Sequence, residues 1–100
     1  MSVSSERKKQ LRSLGHNLKP VVTVAGNGLN ENVLAEIDRA LNDHELIKIK
    51  LAVEDREDRL ALTNDIVTEL NAEVVQTIGK IVLLLREAKK PNLKLSNLRR

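Results

Sequence analysis

The stretch VTVAGNGLNENVLAEI, residues 22–37, sets a β-branched run, a glycine loop and an amphipathic segment end to end. Its upstream half begins at KPVVTVA, where Pro20 is tolerated at the first position of a strand because it has no N–H to give to a ladder. Downstream, Val33, Leu34, Ile37 and Leu41 fall within a narrow helical arc, and Asn30 stands where an N-cap is needed. A strand that turns directly into a helix is the opening of a crossover unit, which points to an α/β fold.

Working outward, SSERKKQLRSLG at residues 4–15 predicts a short helix, with Ser4 or Ser5 as cap and Gly15 as stop. Leu11 and Leu14 share one side of it, while Lys8, Lys9 and Arg12 fall on the other. LIKIKLA at 46–52 alternates as a strand does: Ile47, Ile49 and Leu51 point one way, Lys48 and Lys50 the other. The acidic EDRED at 54–58 opens a third helix, with Leu62, Ile66 and Leu70 in register and the acids near the positive end of its dipole. AEVVQTIGKIVLLLRE at 72–87 reads as two strands turned tightly at Gly79 and Lys80.

The predicted order is α-β-α-β-α-β-β. It implies a single α/β domain with a mixed four-stranded sheet packed with three helices, parallel pairing coming from the crossovers and an antiparallel strand from the final hairpin. That domain is expected over residues 1–86, with 87–100 as a basic, flexible, loosely held tail. One hundred residues suffice for one core, and with Phe, Tyr, Trp and Cys all absent that core must be aliphatic.

The same absences narrow the function. RNA-binding modules that stack bases on Phe, Tyr or Trp are not expected, and disulfide frameworks, thiolate metal sites and cysteine nucleophiles are excluded. The longest apolar run, IVLLL at 81–85, is too short to cross a bilayer, and MSVSSERKKQ carries no apolar signal region, so a soluble, cytoplasmic protein with no membrane partner is expected. The net charge of +3 conceals a segregation: residues 1–20 carry +4, residues 21–85 carry −6 and residues 86–100 carry +5. Basic ends of this kind serve as nucleic-acid-facing arms or simply as solubilising termini.

Catalytic and cofactor motifs are missing. AGNGLN is followed by no Gly-Lys-Ser/Thr and does not fit a G-x-G-x-x-G dinucleotide fingerprint, so neither a nucleotide cofactor nor a small-molecule substrate is expected. His16 and His44 lie in different segments and read as loop or cap residues, and Glu54, Asp55, Glu57 and Asp58 read as a solvated helix start; no metal site follows from them. The glycine loop remains. Gly26 and Gly28 admit a close neighbour, and the helix behind them presents free N–H groups, an arrangement that suits a phosphodiester and also occurs in plain turns.

LRSLGHNLKPVVTVAGNGLNENVLAEIDRAL, HELIKIK, EDRE and VVQTIGKIVLLLR, in that order over about residues 8–86, resemble the YhbY family. This is the bacterial stand-alone form of the CRM (chloroplast RNA splicing and ribosome maturation) domain. The resemblance implies an RNA-binding fold similar in topology to the C-terminal domain of translation initiation factor three, associated with precursors of the large ribosomal subunit. The family's KH-like glycine loop maps onto residues 25–28 and its Gly-Lys turn onto Gly79 and Lys80. The family loop is usually G-x-x-G; here Ala25 takes the first place and adds a methyl at the point of close approach.

The resulting expectation is a non-catalytic protein that binds ribosomal RNA in large-subunit precursor particles and assists their assembly. Its RNA contacts are expected from Lys8, Lys9, Arg12, Lys19, Lys48, Lys50 and Lys80 on phosphates, with Gly26, Asn27 and Gly28 as the loop. The alternative is a protein-interaction module that docks an acidic partner on its lysine-bearing sheet face.

Overall fold

The computed structural model describes residues 4–25 and 28–98. The elements follow the predicted order: α1 (Ser5–Gly15), β1 (Pro20–Val24), α2 (Glu31–His44), β2 (Leu46–Leu51), α3 (Arg56–Leu70), β3 (Glu73–Ile78) and β4 (Ile81–Leu85). Each helix starts where a short polar side chain satisfies an orphan amide: the Arg7 N–H donates to Ser4 Oγ, the Val33 N–H to Asn30 Oδ1 and the Glu57 N–H to Asp55 Oδ1.

The sheet order is β1-β2-β4-β3. The pair β1/β2 is parallel, whereas β4 lies between β2 and β3 and is antiparallel to both. Parallel pairing, expected through both crossovers, is therefore realised in one adjacent pair only. The hairpin partner β4 takes the place beside β2 that β3 would otherwise hold, and leaves β3 and β1 as edges.

Helices cover both faces. On one, α2 and α3 bury Ile37, Leu41 and Ile66 against Val24, Ile49 and Val82, the main core. On the other, Leu11 of α1 meets Leu46, Val75, Leu83 and Leu85, with Leu18 and Leu98 packed around them. Each fully buried aliphatic side chain contributes about 1.5–3 kcal/mol, so these rows, without a single ring, supply the driving force.

Gly15 ends α1 as expected, but for another reason. The following His16 is right-handed helical, and a Cβ on Gly15 would sit 2.8 Å from Leu83 Cδ1 and Cδ2. The glycine lets the helix press onto the sheet. Left-handed backbone appears instead at Glu45 and Asn71, the residues that close α2 and α3.

Beyond Arg86 the chain is fastened, not loosely held. Ser96 and Asn97 are buried; Ser96 Oγ donates to Glu45 Oε1 at 2.8 Å, the Ala88 N–H donates to Glu45 Oε2, and Asn97 Nδ2 donates to the Leu46 carbonyl. The lack of periodicity suggested a loosely held tail, yet a buried carboxylate, the carbonyl at the end of α2 and the carbonyl at the start of β2 need donors, and residues 88–97 provide them.

Candidate nucleic-acid interface

The candidate residues gather on the face that α1 covers only in part. There α1 seals the end formed by Leu46, Val75 and Leu85 and leaves the opposite end open. Between its outer turns and the upper ends of β3 and β4 runs a groove of two joined crevices, about 450 and 300 Å³. Lys9, Arg12 and Ser13 line it from the helix, and Gln76 and Ile78 from the strand. It continues over Ile81 and Leu83 to Lys48, His16 lining both parts.

Lys48 is the junction. Its Nζ donates to the His16 carbonyl at 3.3 Å, satisfying an orphan at the end of α1 and holding the ammonium across the groove. On its far side a third crevice of about 240 Å³ brings in Lys19, Val21 and Asn97. The fold thus draws together Lys9, Arg12, Lys48 and Lys19 from two elements and a loop. Among the described residues no Asp or Glu lines any of the three crevices. Lys8 is half-buried beside Lys9, and Lys50 is exposed two residues beyond Lys48, opposite Ile81 in the sheet register.

The glycine loop and the Gly-Lys turn occupy the adjoining end of the sheet. The Ala52 N–H donates to the Val24 carbonyl and the Leu51 N–H to the Lys80 carbonyl, which ties both connections to the end of β2. Gly28 has φ +85° with open space where a Cβ would be, and its N–H donates to the Ala25 carbonyl. Gly26 and Asn27 lie outside the described residues.

Lys80 stands apart from the other cations. Its Nζ donates to Glu54 Oε1 at 2.6 Å, and this hydrogen bond, with the ammonium charge, holds the exposed Glu54 carboxyl below its usual value of 4.5. Arg86, part of the basic carboxyl-terminal block, is structural: its guanidinium donates to Asp38, Asn42 and the Leu70 carbonyl. His16 caps α1 as expected, whereas His44 is neither loop nor cap but the last residue of α2, with Nδ1 2.8 Å from the Leu95 carbonyl oxygen. Among the described residues no group of three His, Cys, Asp or Glu is placed to hold a metal ion.

Gln76 and Ile78 were not among the residues singled out in the sequence. Their alternation within VVQTI was the available signal; their placement beside Lys9 and Arg12, more than sixty positions away, was not.

A family model described as the CRS1 / YhbY (CRM) domain matches residues 3–86. The chain belongs to this family. A Pseudomonas aeruginosa protein named as a probable RNA-binding protein is 54 % identical over 100 residues, covering 100 % of this chain and 96 % of its own length. A Haemophilus influenzae protein named as an RNA-binding protein is 49 % identical over 94 residues, covering 94 % of this chain and 95 % of the relative. The solution structure of a Staphylococcus aureus protein superposes with a TM-score of 0.77 at 32 % identity, covering 89 % of this chain and 93 % of that one. The CRM fold here is accordingly the three-helix, mixed-sheet α/β domain expected from the sequence.

Proposed function

We propose that this CRM-domain protein is a non-catalytic, cytoplasmic RNA-binding protein that acts on ribosomal RNA in precursors of the large ribosomal subunit. The observation that carries the reading is the convergence of Lys9, Arg12, Lys19 and Lys48 on crevices that no Asp or Glu among the described residues lines, although the middle of the chain is net acidic. Ammonium and guanidinium groups placed in this way neutralise phosphates and release counterions on binding. The names of the Pseudomonas and Haemophilus relatives support RNA as the partner class.

The test is sucrose-gradient fractionation of cell extract with and without ribonuclease. Co-migration with large-subunit particles that ribonuclease abolishes is the expected result. Co-migration insensitive to ribonuclease overturns it and favours an acidic protein partner, and no co-migration overturns it as well.

A further inference from the structure

The groove between α1 and the β3–β4 end has two chemistries. Its walls are cationic, with Lys9 and Arg12 on the helix side and Lys48 across it; its floor is aliphatic, with Ile78 65 % exposed and Ile81 half-buried. The Gln76 amide offers a donor and an acceptor group from the strand side of the groove, as the Ser13 hydroxyl does from the helix side. Walls of this kind suit phosphates. The floor gains nothing from phosphates or ribose hydroxyls, which are all that an A-form duplex offers over most of its surface. It does gain from the flat face of an unstacked base, whose apolar area leaves water on contact.

Building on the RNA-binding reading, we propose that this groove takes single-stranded RNA, with phosphates on Lys9, Arg12 and Lys48 and one base laid over Ile78 and Ile81 beside the Gln76 amide. Aliphatic side chains take the place of the platform that Phe, Tyr or Trp would supply, all three being absent from the sequence. The crevices, about 300 and 450 Å³, lie within the range of about 300–1,000 Å³ typical of small-ligand sites.

The test uses fluorescence anisotropy of the full chain with a ten-nucleotide mixed-sequence single strand and with the same strand annealed to its complement. Ile78→Asp should weaken single-strand binding about tenfold and duplex binding less than twofold, since it removes floor area and sets a carboxylate among the walls. Lys90→Gln, the same change in net charge outside the groove, should alter both equally and by less than twofold. Equal losses for both ligands with Ile78→Asp, or no loss, overturn the groove and leave RNA binding standing. A parent chain that binds neither RNA overturns both readings, and tighter binding of a ten-residue oligoglutamate than of the single strand makes the occupant a protein. Should Ile78→Asp not fold, NMR of the parent decides: the Ile78 and Ile81 methyls and the Gln76 side-chain amide shift with the single strand and not with the duplex, and unmoved signals overturn the assignment.

Discussion

Gly15 and Gly28 are glycines for opposite reasons. At Gly15 the backbone is ordinary and the space is full, a Cβ meeting Leu83 at 2.8 Å; at Gly28 the space is open and the backbone, at φ +85°, is what an L side chain resists. Alanine at either position should cost about 1 kcal/mol, at Gly15 from overpacking less the gain in helix propensity, at Gly28 from backbone strain. A double-mutant cycle by urea unfolding separates them. Leu83→Val should recover part of the Gly15→Ala loss and none of the Gly28→Ala loss, and additivity in both cycles would refute the steric account.

The Glu54–Lys80 pair is also a matter of single residues. Glu54 is depressed by the Lys80 hydrogen bond first and the Lys80 charge second, so the pair persists above pH 4.5 and is lost as pH falls through the lowered value. Because Glu54 is fully exposed, the consequence lies in binding and not in stability. If the Gly-Lys turn meets phosphate, Glu54→Gln releases the Lys80 ammonium and should tighten RNA binding about twofold at low salt. Unchanged affinity would remove Lys80 from the interface.

At the scale of elements, the segment after β4 behaves as a strap. The Asn97 side chain donates to the Leu46 carbonyl, its N–H donates to the His44 carbonyl, and Leu98 packs with the α1-side core. Asn97→Ala leaves the Leu46 carbonyl without that donor in a buried place and should cost about 1–3 kcal/mol. The check is the urea midpoint, which should fall with little change in slope. A strap that contributed nothing would leave the midpoint where it was. Its attachment was not readable in EAKKPNLKLSNLRR, because the acceptors at His44, Glu45 and Leu46 are about fifty residues away and a buried glutamate in left-handed backbone has no local signature. The helices and strands, by contrast, were readable because each depends on neighbours three or four residues apart, or two.

For the whole molecule, the charge segregation along the chain becomes a cationic sheet face only after folding. If about four to six phosphates are neutralised there, log affinity should fall with log salt at a slope of about −3 to −5, from the rule of about 0.7–0.9 per contact. Lys48→Glu combined with Lys50→Glu should reduce both affinity and slope and leave thermal unfolding nearly unchanged, since Lys50 is exposed and Lys48 makes one hydrogen bond, to the His16 carbonyl. A slope near zero, or intact binding in the double variant, would move the interface elsewhere.

Periodicity and capping residues in the sequence by themselves determined the seven elements, their order, the aliphatic core and the two opposed faces of LIKIKL, because each rests on contacts or torsions within a few residues. The resemblance to the CRM family was legible too, from stretches scattered over most of the domain. Tertiary structure alone decided that β4 inserts between β2 and β3, that Gly15 is demanded by Leu83, that Lys80 is paired with Glu54, and that residues 88–97 are fastened to Glu45 and Leu46. It also decided that Gln76 and Ile78 share a groove with Lys9 and Arg12. All of these rest on partners distant along the chain, which meet only when packing of the two cores sets the order of the strands and the approach of α1.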